Sequence, residues 1–218
     1  MTETAPLQNS LAVEIERAGL DVPPDALAGL AEYCRVLWDW NSKLNLTRHT
    51  TPELFVARDL VDTLALGRFL ETGERVLDLG SGGGVPGIPL GIVRTDLSLE
   101  LCESVAKKAR VLQEMVRELG LGWPVHHARA EELLLRRTYD VVLVRAVAPL
   151  PKLLTWLQPC WENFGRLLVV KGPKWVDERG EARHHGLMQG LELRKLLEYP
   201  LAGTEAQSVV LQIQAKSG

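Results

Sequence analysis

The sequence predicts an α/β protein with a mostly parallel sheet of seven strands, preceded by a helical cap. Three observations lead to this prediction. Five short apolar runs alternate with helical segments, which is typical of parallel strands joined by right-handed crossovers. Two further strand-like runs follow with only a short polar connection between them, which predicts a C-terminal antiparallel hairpin. Every periodic stretch before the first apolar run is helical, which predicts a cap over residues 1–70 and a sheet domain over residues 71–218.

Each element has its own pattern. In the cap, residues 23–40 repeat apolar side chains at helical spacing, and residues 51–70 start with Thr51 as the N-cap and Pro52 at the first helical position. The parallel strands are predicted at residues 75–79, 97–102, 123–128, 139–144 and 165–170, and the hairpin strands at 193–201 and 207–214. The connecting helices are predicted from about residue 86, over 104–119, near 131 and over 152–161.

The composition is that of one main domain with a sizeable core, since 46% of the 218 residues are hydrophobic. A formal net charge of −3 argues against a globally basic nucleic-acid coat but leaves room for a local basic surface. The 3 cysteines lie far apart in apolar segments, which favours reduced, buried thiols and a cytoplasmic location. The pairs His126–His127 and His184–His185 lack a third ligand, so no metal site is expected. We also expect a monomer without export signal or membrane span.

The turn after the first strand, in the stretch VLDLGSGGGVPGIPL, is the candidate ligand site. A glycine-rich turn lets the backbone approach a ligand closely and points free N–H groups of the next helix at it. A turn without a ligand is the alternative, but such a run of glycines loses more backbone entropy than packing alone usually requires.

One cofactor that fits this turn is a nicotinamide dinucleotide. Gly82, Gly84 and Gly87 satisfy the pattern G-x-G-x-x-G. Glu103 lies near the offset of ~20 residues at which an acid binds the ribose.

The overlapping pattern Asp78-x-Gly80-x-Gly82-x-Gly84 resembles instead the S-adenosylmethionine loop of Rossmann-like methyltransferases. Asp78 favours this second interpretation, because a carboxylate attracts the amino and sulfonium groups of that donor and repels a pyrophosphate. The closing hairpin also resembles the methyltransferase sheet. An alternative role for Asp78 is to cap the amides of the turn.

Several motifs together resemble one family. NLT, RDLVDTL, LDLGSGGGVPGIPL, ESVAKKARVLQEMVRELGL, ARAEEL, VRAVAPL and KG occur in the order and spacing of the small-subunit (16S) ribosomal RNA methyltransferase G family, also called glucose-inhibited division protein B. The match covers roughly residues 25–172. The resemblance implies methylation of N7 of a guanine in 16S rRNA, with S-adenosylmethionine as donor and 16S rRNA or the small ribosomal subunit as partner.

The resemblance also implies donor contacts at Gly80, Val85, Ala130, Glu131 and Arg145. Ala130 and Glu131 follow the third strand, where an adenine edge is expected, and Glu103 is placed for the ribose. Alternatives are a helix-dipole role for Glu131 and, for Arg145, a salt bridge to Asp78 or Glu131.

The expected chemistry needs no general base, because guanine N7 carries a lone pair and has no proton to lose. We expect Arg145 and Lys171, at the ends of the fourth and fifth strands, to act as catalytic residues by positioning and by electrostatics. A pyrimidine-C5 methyltransferase would need a cysteine nucleophile. Cys160, however, lies in an apolar helical stretch and is predicted to be a core thiol.

RNA binding is expected at a basic rim beside the carboxyl ends of the strands, through contacts to phosphates. The main RNA-binding candidates are Lys107, Lys108 and Lys174, with Arg58 of the cap. The rest of the predicted rim comprises Arg110, Arg136, Arg137, Lys171, Arg179, Arg183, His184 and His185. Arg179 and Arg183 alternate with acids and are equally well explained as a solvated helix face.

The sequence departs from the family pattern in the cap and at its end. The usual Arg-His is Arg58-Asp59, the usual Asp-Ser is Asp62-Thr63, and the sequence ends at Gly218 without a basic tail. We expect these departures to affect RNA docking and not donor binding, since Asp59 puts an anion in place of a potential cation. A methyltransferase retargeted to another RNA or a small molecule is therefore one alternative, and an NAD(P)-dependent oxidoreductase a weaker one.

Overall fold

Seven strands form one sheet in the computed structural model, which describes residues 4–201 and 205–216. The strands are β1 Arg75–Leu79, β2 Ser98–Glu103, β3 Val125–His127, β4 Tyr139–Arg145, β5 Phe164–Lys171, β6 Leu191–Pro200 and β7 Gln207–Ala215. Their order across the sheet is β3-β2-β1-β4-β5-β7-β6, with β1 to β5 parallel and β7 antiparallel to both its neighbours. This arrangement confirms the predicted parallel sheet and closing hairpin. Residues 202–204 of the predicted hairpin connection lie outside the described residues.

Helices connect the strands and precede them in the chain. They are α1 Ala5–Arg17, α2 Ala26–Asn41, α3 Pro52–Leu54, α4 Val61–Gly67, α5 Gly87–Val93, α6 Ala106–Glu118, α7 Ala130–Leu134, α8 Leu150–Leu157 and α9 Trp175–His184. A π-helical turn, Phe55–Leu60, joins α3 to α4, and a 3-10 helix, Gln158–Asn163, follows α8. The Thr51 hydroxyl accepts a hydrogen bond from the Leu54 N–H at 3.2 Å, with Pro52 next to it, so the predicted helix start is confirmed.

The sheet buries apolar residues on both faces. One face, which includes Leu77 and Val142, packs against α7, α8 and α9. On the opposite side of the sheet, Val85 and Leu112 of the α5 and α6 regions share an apolar cluster with Leu30 of α2. The predicted cap therefore packs directly on the sheet domain, and its boundary near residue 70 stays a prediction.

The cysteines are free and buried, as predicted, and this includes Cys160 in the 3-10 helix. None of the helices in the described ranges is both long and apolar enough to cross a membrane.

Candidate active site

The turn between β1 and α5 needs glycine for its backbone conformation. Gly80, Gly82 and Gly84 have φ values of +74°, +56° and +96°, a region that side-chain-bearing residues rarely adopt. A Cβ atom on Gly80 would also lie 2.5 Å from Cγ2 of Val147, in the loop after β4. The turn is therefore a close-packed backbone structure at the carboxyl ends of β1 and β4.

Two buried carboxylates hold the backbone of the turn through hydrogen bonds. Glu103, at the end of β2, accepts hydrogen bonds from the N–H groups of Gly82 at 3.1 Å and Val105 at 2.8 Å. Asp78 is 1% exposed and accepts one from the N–H of Gly87, the first residue of α5, at 3.1 Å. Burial raises the pKa of Asp78 to about 6, and its Oδ1 atom has no hydrogen-bond partner among the described residues. The capping role predicted as the alternative for Asp78 is thus present.

A cleft of about 420 Å³, which we call the Trp156 cleft, lies beside the turn. Its lining includes three of the predicted donor contacts, Gly80, Ala130 and Glu131. The Glu131 carboxylate also pairs with Arg129 at 2.9 Å. Val85, another predicted contact, is buried in the apolar cluster under the cap.

Arg145, at the end of β4, lies in a network of charged side chains. Its Nη1 atom is 2.7 Å from Oδ1 of Asp59 and 3.3 Å from Oδ2 of Asp62. The Tyr199 hydroxyl of β6 donates to Asp62 at 2.7 Å, and Nδ1 of His49 lies 2.8 Å from Oδ1 of Asp59. The salt-bridge alternative for Arg145 is therefore correct in kind but wrong in its partners.

The network pairs one cation with two carboxylates. Burial opposes the charge on Arg145, but Asp59 and Asp62 outweigh it and raise the pKa of the guanidinium. Burial also raises the pKa of Asp62, although the hydrogen bond from Tyr199 and the charge of Arg145 act in the opposite direction.

Asp59 lies in the π-helical turn and is 0% exposed. Its carboxylate is held under Arg145 and His49, and an effect of Asp59 on RNA docking stays a prediction. Its neighbour Arg58 is partly exposed and makes no ion pair among the described residues.

A second cleft of about 380 Å³, the His49 cleft, lies between Arg145 and the loop after α2. Its lining residues are Asn45, Leu46, Thr47, Arg48, His49 and Arg145. The NLT motif at the start of this loop supports the family resemblance, but no sequence pattern marks His49 as a site residue. A third cleft of about 440 Å³, between α1, α4 and β6, contains none of the predicted site residues.

Tyr33 of α2 was also missed. It is fully buried, and its hydroxyl donates to the carbonyl oxygen of Gly83 at 2.9 Å. The cap thereby holds the glycine turn directly.

Lys171, at the end of β5, fastens the loop between β4 and α8. Its Nζ atom is 2.7 Å from the carbonyl oxygen of Ala148 and 2.7 Å from Glu178 of α9. Glu178 also accepts a hydrogen bond from the N–H of Leu150 at 2.7 Å. The same loop holds Ala146 at φ +54°, an unusual conformation for a residue other than glycine. Arg145 and Lys171 end adjacent strands but bind different partners.

The predicted basic rim is only partly correct. Lys107 and Lys174 are exposed, and, with the partly exposed Lys108, they make no ion pair within the described part of the chain. Arg136 and Arg137 come just before β4, at the amino ends of the strands, so their predicted position is wrong; Arg137 pairs there with Glu100 at 3.2 Å. The pair His184–His185 lies at the far end of the ten-residue helix α9, about 15 Å from its start.

The described residues contain no group of three or more His, Cys, Asp or Glu side chains placed to hold a metal ion.

Sequence comparisons give one consistent family. The family model described as rRNA small subunit methyltransferase G matches residues 26–205. A relative from Rhodopirellula baltica, named ribosomal RNA small subunit methyltransferase G, is 52% identical over 187 residues, which cover 86% of this chain and 81% of that protein. A relative of the same name from Mycobacterium marinum is 37% identical over 164 residues, covering 74% and 71%.

Solved structures share the fold at low sequence identity. A methyltransferase from Pyrococcus furiosus superimposes with a TM-score of 0.57 at 11% identity, covering 86% of this chain and 98% of that one. TrmK from M. capricolum, solved with S-adenosyl-homocysteine, gives a TM-score of 0.55 at 12% identity, covering 72% and 68%. These likenesses confirm the predicted Rossmann-like methyltransferase fold.

Proposed function

The chain belongs to the rRNA small subunit methyltransferase G family, and from this premise we propose that it transfers the methyl group of S-adenosylmethionine to N7 of a guanine in 16S rRNA. The observation that carries the proposal is the glycine turn beside the Trp156 cleft, in a chain with this sequence similarity.

The Trp156 cleft fits the nucleoside part of this donor. Its volume of about 420 Å³ suits a ligand of that size. Gly80 has no side chain, so its backbone lines the cleft directly. Glu103 lies at the end of β2, and a carboxylate that accepts two backbone hydrogen bonds keeps lone pairs for ribose hydroxyls. The residues that we assign to donor binding are Asp78, Gly80, Gly82, Gly84, Val85, Glu103, Ala130, Glu131 and Arg145.

The bound donor supplies an electrophilic methyl group, and the chain's own residues position the acceptor. Guanine N7 needs no deprotonation, so we assign no general base. Arg145 is held by Asp59 and Asp62 at the end of β4, where a guanidinium can orient a base or a phosphate. Lys171 acts by fixing the loop from Ala146 to Leu150 and is therefore a positioning residue.

The substrate is bound through phosphates by cations without protein partners. We assign this role to Lys107, Lys108, Lys174 and Arg58, which are exposed or partly exposed and unpaired among the described residues. A protein with three free, buried thiols that acts on ribosomal RNA is proposed to work in the cytoplasm, as a monomer on 16S rRNA or the small subunit.

The test is reverse-transcription mapping of N7-methylguanine in 16S rRNA from cells that lack their own copy and receive this chain. The unmutated protein is expected to restore one methylated guanine. Lys171→Ala is expected to cut turnover by ~10² while calorimetry gives an unchanged affinity for S-adenosylmethionine. No methylation with the unmutated chain would favour a different substrate, and binding of nicotinamide dinucleotides alone would refute the methyltransferase assignment.

A further inference from the structure

The His49 cleft and the Trp156 cleft both lie beside the end of β4. Arg145 lines the first and Val147 the second, and these two residues are two positions apart in the chain. Leu46, in the lining of the His49 cleft, also approaches the glycine turn, since its Cβ lies 3.5 Å from the position of a Cβ on Gly83. We therefore expect a group in the His49 cleft to lie near a donor bound in the Trp156 cleft.

The loop that lines the His49 cleft is held rigidly by hydrogen bonds to its backbone. The Asn41 side chain accepts from the N–H groups of Leu46 at 2.7 Å and Thr47 at 2.9 Å. The indole of Trp38 donates to the carbonyl oxygen of His49 at 2.8 Å, and the Thr47 hydroxyl accepts from the His49 N–H at 2.9 Å. Fixing a partly exposed loop in this way is what a preorganised binding site requires.

The Asp59 carboxylate sets the proton position on the His49 ring. A carboxylate only accepts hydrogen bonds, so the contact of 2.8 Å requires a proton on Nδ1 of His49. In the neutral ring, Nε2 is then an acceptor. The His49 side chain is 29% exposed, so this acceptor is within reach of a ligand in the cleft.

An acceptor at this position distinguishes guanine from adenine. Guanine carries N–H donors at N1 and at its 2-amino group, on the edge opposite N7, whereas N1 of adenine is an acceptor. A base with N7 directed at the donor would turn its N1 edge towards the outer side of the cleft.

We propose that the His49 cleft receives the target guanine and that Nε2 of His49 accepts a hydrogen bond from its N1–H group. This inference rests on the proposed function and names the residue that selects the base. Asp59 is a positioning residue for His49, because its carboxylate fixes the tautomer of His49 and also holds Arg145.

The test uses 16S rRNA with inosine or 2-aminopurine at the methylated position. Both analogues keep N7, but only inosine keeps the N1–H group. The unmutated protein is expected to prefer inosine in kcat/KM by about 10- to 100-fold, the range for loss of a base-specific contact. His49→Ala is expected to reduce that preference to about threefold or less, with unchanged affinity for S-adenosylmethionine in calorimetry.

Two further variants serve as controls. His49→Gln keeps an acceptor oxygen and is expected to retain most of the preference for inosine. Glu16→Ala removes an exposed side chain of α1, far from both clefts in the sequence, and should match the unmutated protein.

The outcomes separate this inference from the proposed function. Methylation by the unmutated chain together with an unchanged preference in His49→Ala would overturn the guanine pocket and leave the proposed function standing. No methylation of any substrate by the unmutated chain would overturn the proposed function itself. If His49→Ala fails to bind the donor, loss of the preference in a donor-binding His49→Gln variant would overturn the inference.

Discussion

The two clefts beside the end of β4 are built in different ways. The wall of the Trp156 cleft beside β1 is backbone, a turn whose glycines have positive φ and whose amides are held by Asp78 and Glu103. The His49 cleft is lined by one loop, residues 45–49, and by Arg145, whose side chain is held by a buried network that reaches Asp62, 83 residues away in the chain. The first wall depends on steric fit, and the second depends on charge balance in a buried network.

This difference predicts that substitutions in the two clefts have different effects. A side chain added to the glycine turn changes the shape of the donor cleft and leaves the rest of the fold in place. A side chain removed from the network leaves buried charges without a partner and weakens the whole molecule.

The largest effect is expected for Arg145→Ala. This change leaves the carboxylates of Asp59 and Asp62 without their cation. Breaking a buried ion pair of this kind lowers the free energy of unfolding by about 3 kcal/mol. Urea denaturation followed by tryptophan fluorescence measures the change. Arg117→Ala is the matched control, because Arg117 pairs with Glu114 on the surface and its loss is expected to leave the free energy of unfolding nearly unchanged. Equal losses in the two variants would contradict the structural importance of the network.

A smaller effect, confined to the donor side, is expected for Gly80→Val. The φ value of +74° and the contact of 2.5 Å with Val147 leave no room for a side chain. Calorimetry should show that affinity for S-adenosylmethionine falls ~100-fold or more, with little change in the circular dichroism spectrum. Gly122→Val is the control, since a Cβ on Gly122 meets no atom within 4 Å. Full donor affinity in folded Gly80→Val would show that the turn is only structural.

The smallest effect is a pH dependence on the donor side. The pKa of Asp78 is raised from 3.8 to about 6, chiefly by burial, so the folded chain keeps a proton that the unfolded chain has lost. The free energy of unfolding contributed by this residue should therefore fall as the pH rises from about 4 to about 6, by about 1 kcal/mol per pH unit. Urea titrations across this range should show that decline in the unmutated protein relative to Asp78→Asn. Parallel pH profiles for the two proteins would mean that Asp78 ionises normally.

The same contrast explains how far sequence reasoning reached. The glycine turn, the Thr51 cap, the five parallel strands and the closing hairpin follow local patterns, and the structure agrees with each of them. Helix α9 was not predicted, because its charged residues alternate and it has no apolar face: Ala182 is its one buried residue. The roles of Tyr33 and His49 were not predicted, because their hydrogen-bond partners are set by the tertiary fold and no local pattern marks them.

The placement of Arg136 and Arg137 was wrong for a related reason. A helix that follows a strand carries the chain back across the sheet, so residues after a short helix lie at the opposite edge. Arg136 and Arg137 follow α7 and therefore lie at the amino ends of the strands, away from the predicted rim.

The position of β7 between β5 and β6 has a consequence for synthesis of the protein. During translation β6 leaves the ribosome before β7, its one neighbour in the sheet, so β6 cannot join the sheet until β7 has been made. Tyr199 of β6 reaches Asp62 only in the finished sheet, across 137 residues of sequence. A prematurely terminated chain would thus combine an open, aggregation-prone strand edge at β5 with an unanchored Asp62. Nascent fragments are expected to be cleared by proteolysis before they can compete with complete molecules for the substrate.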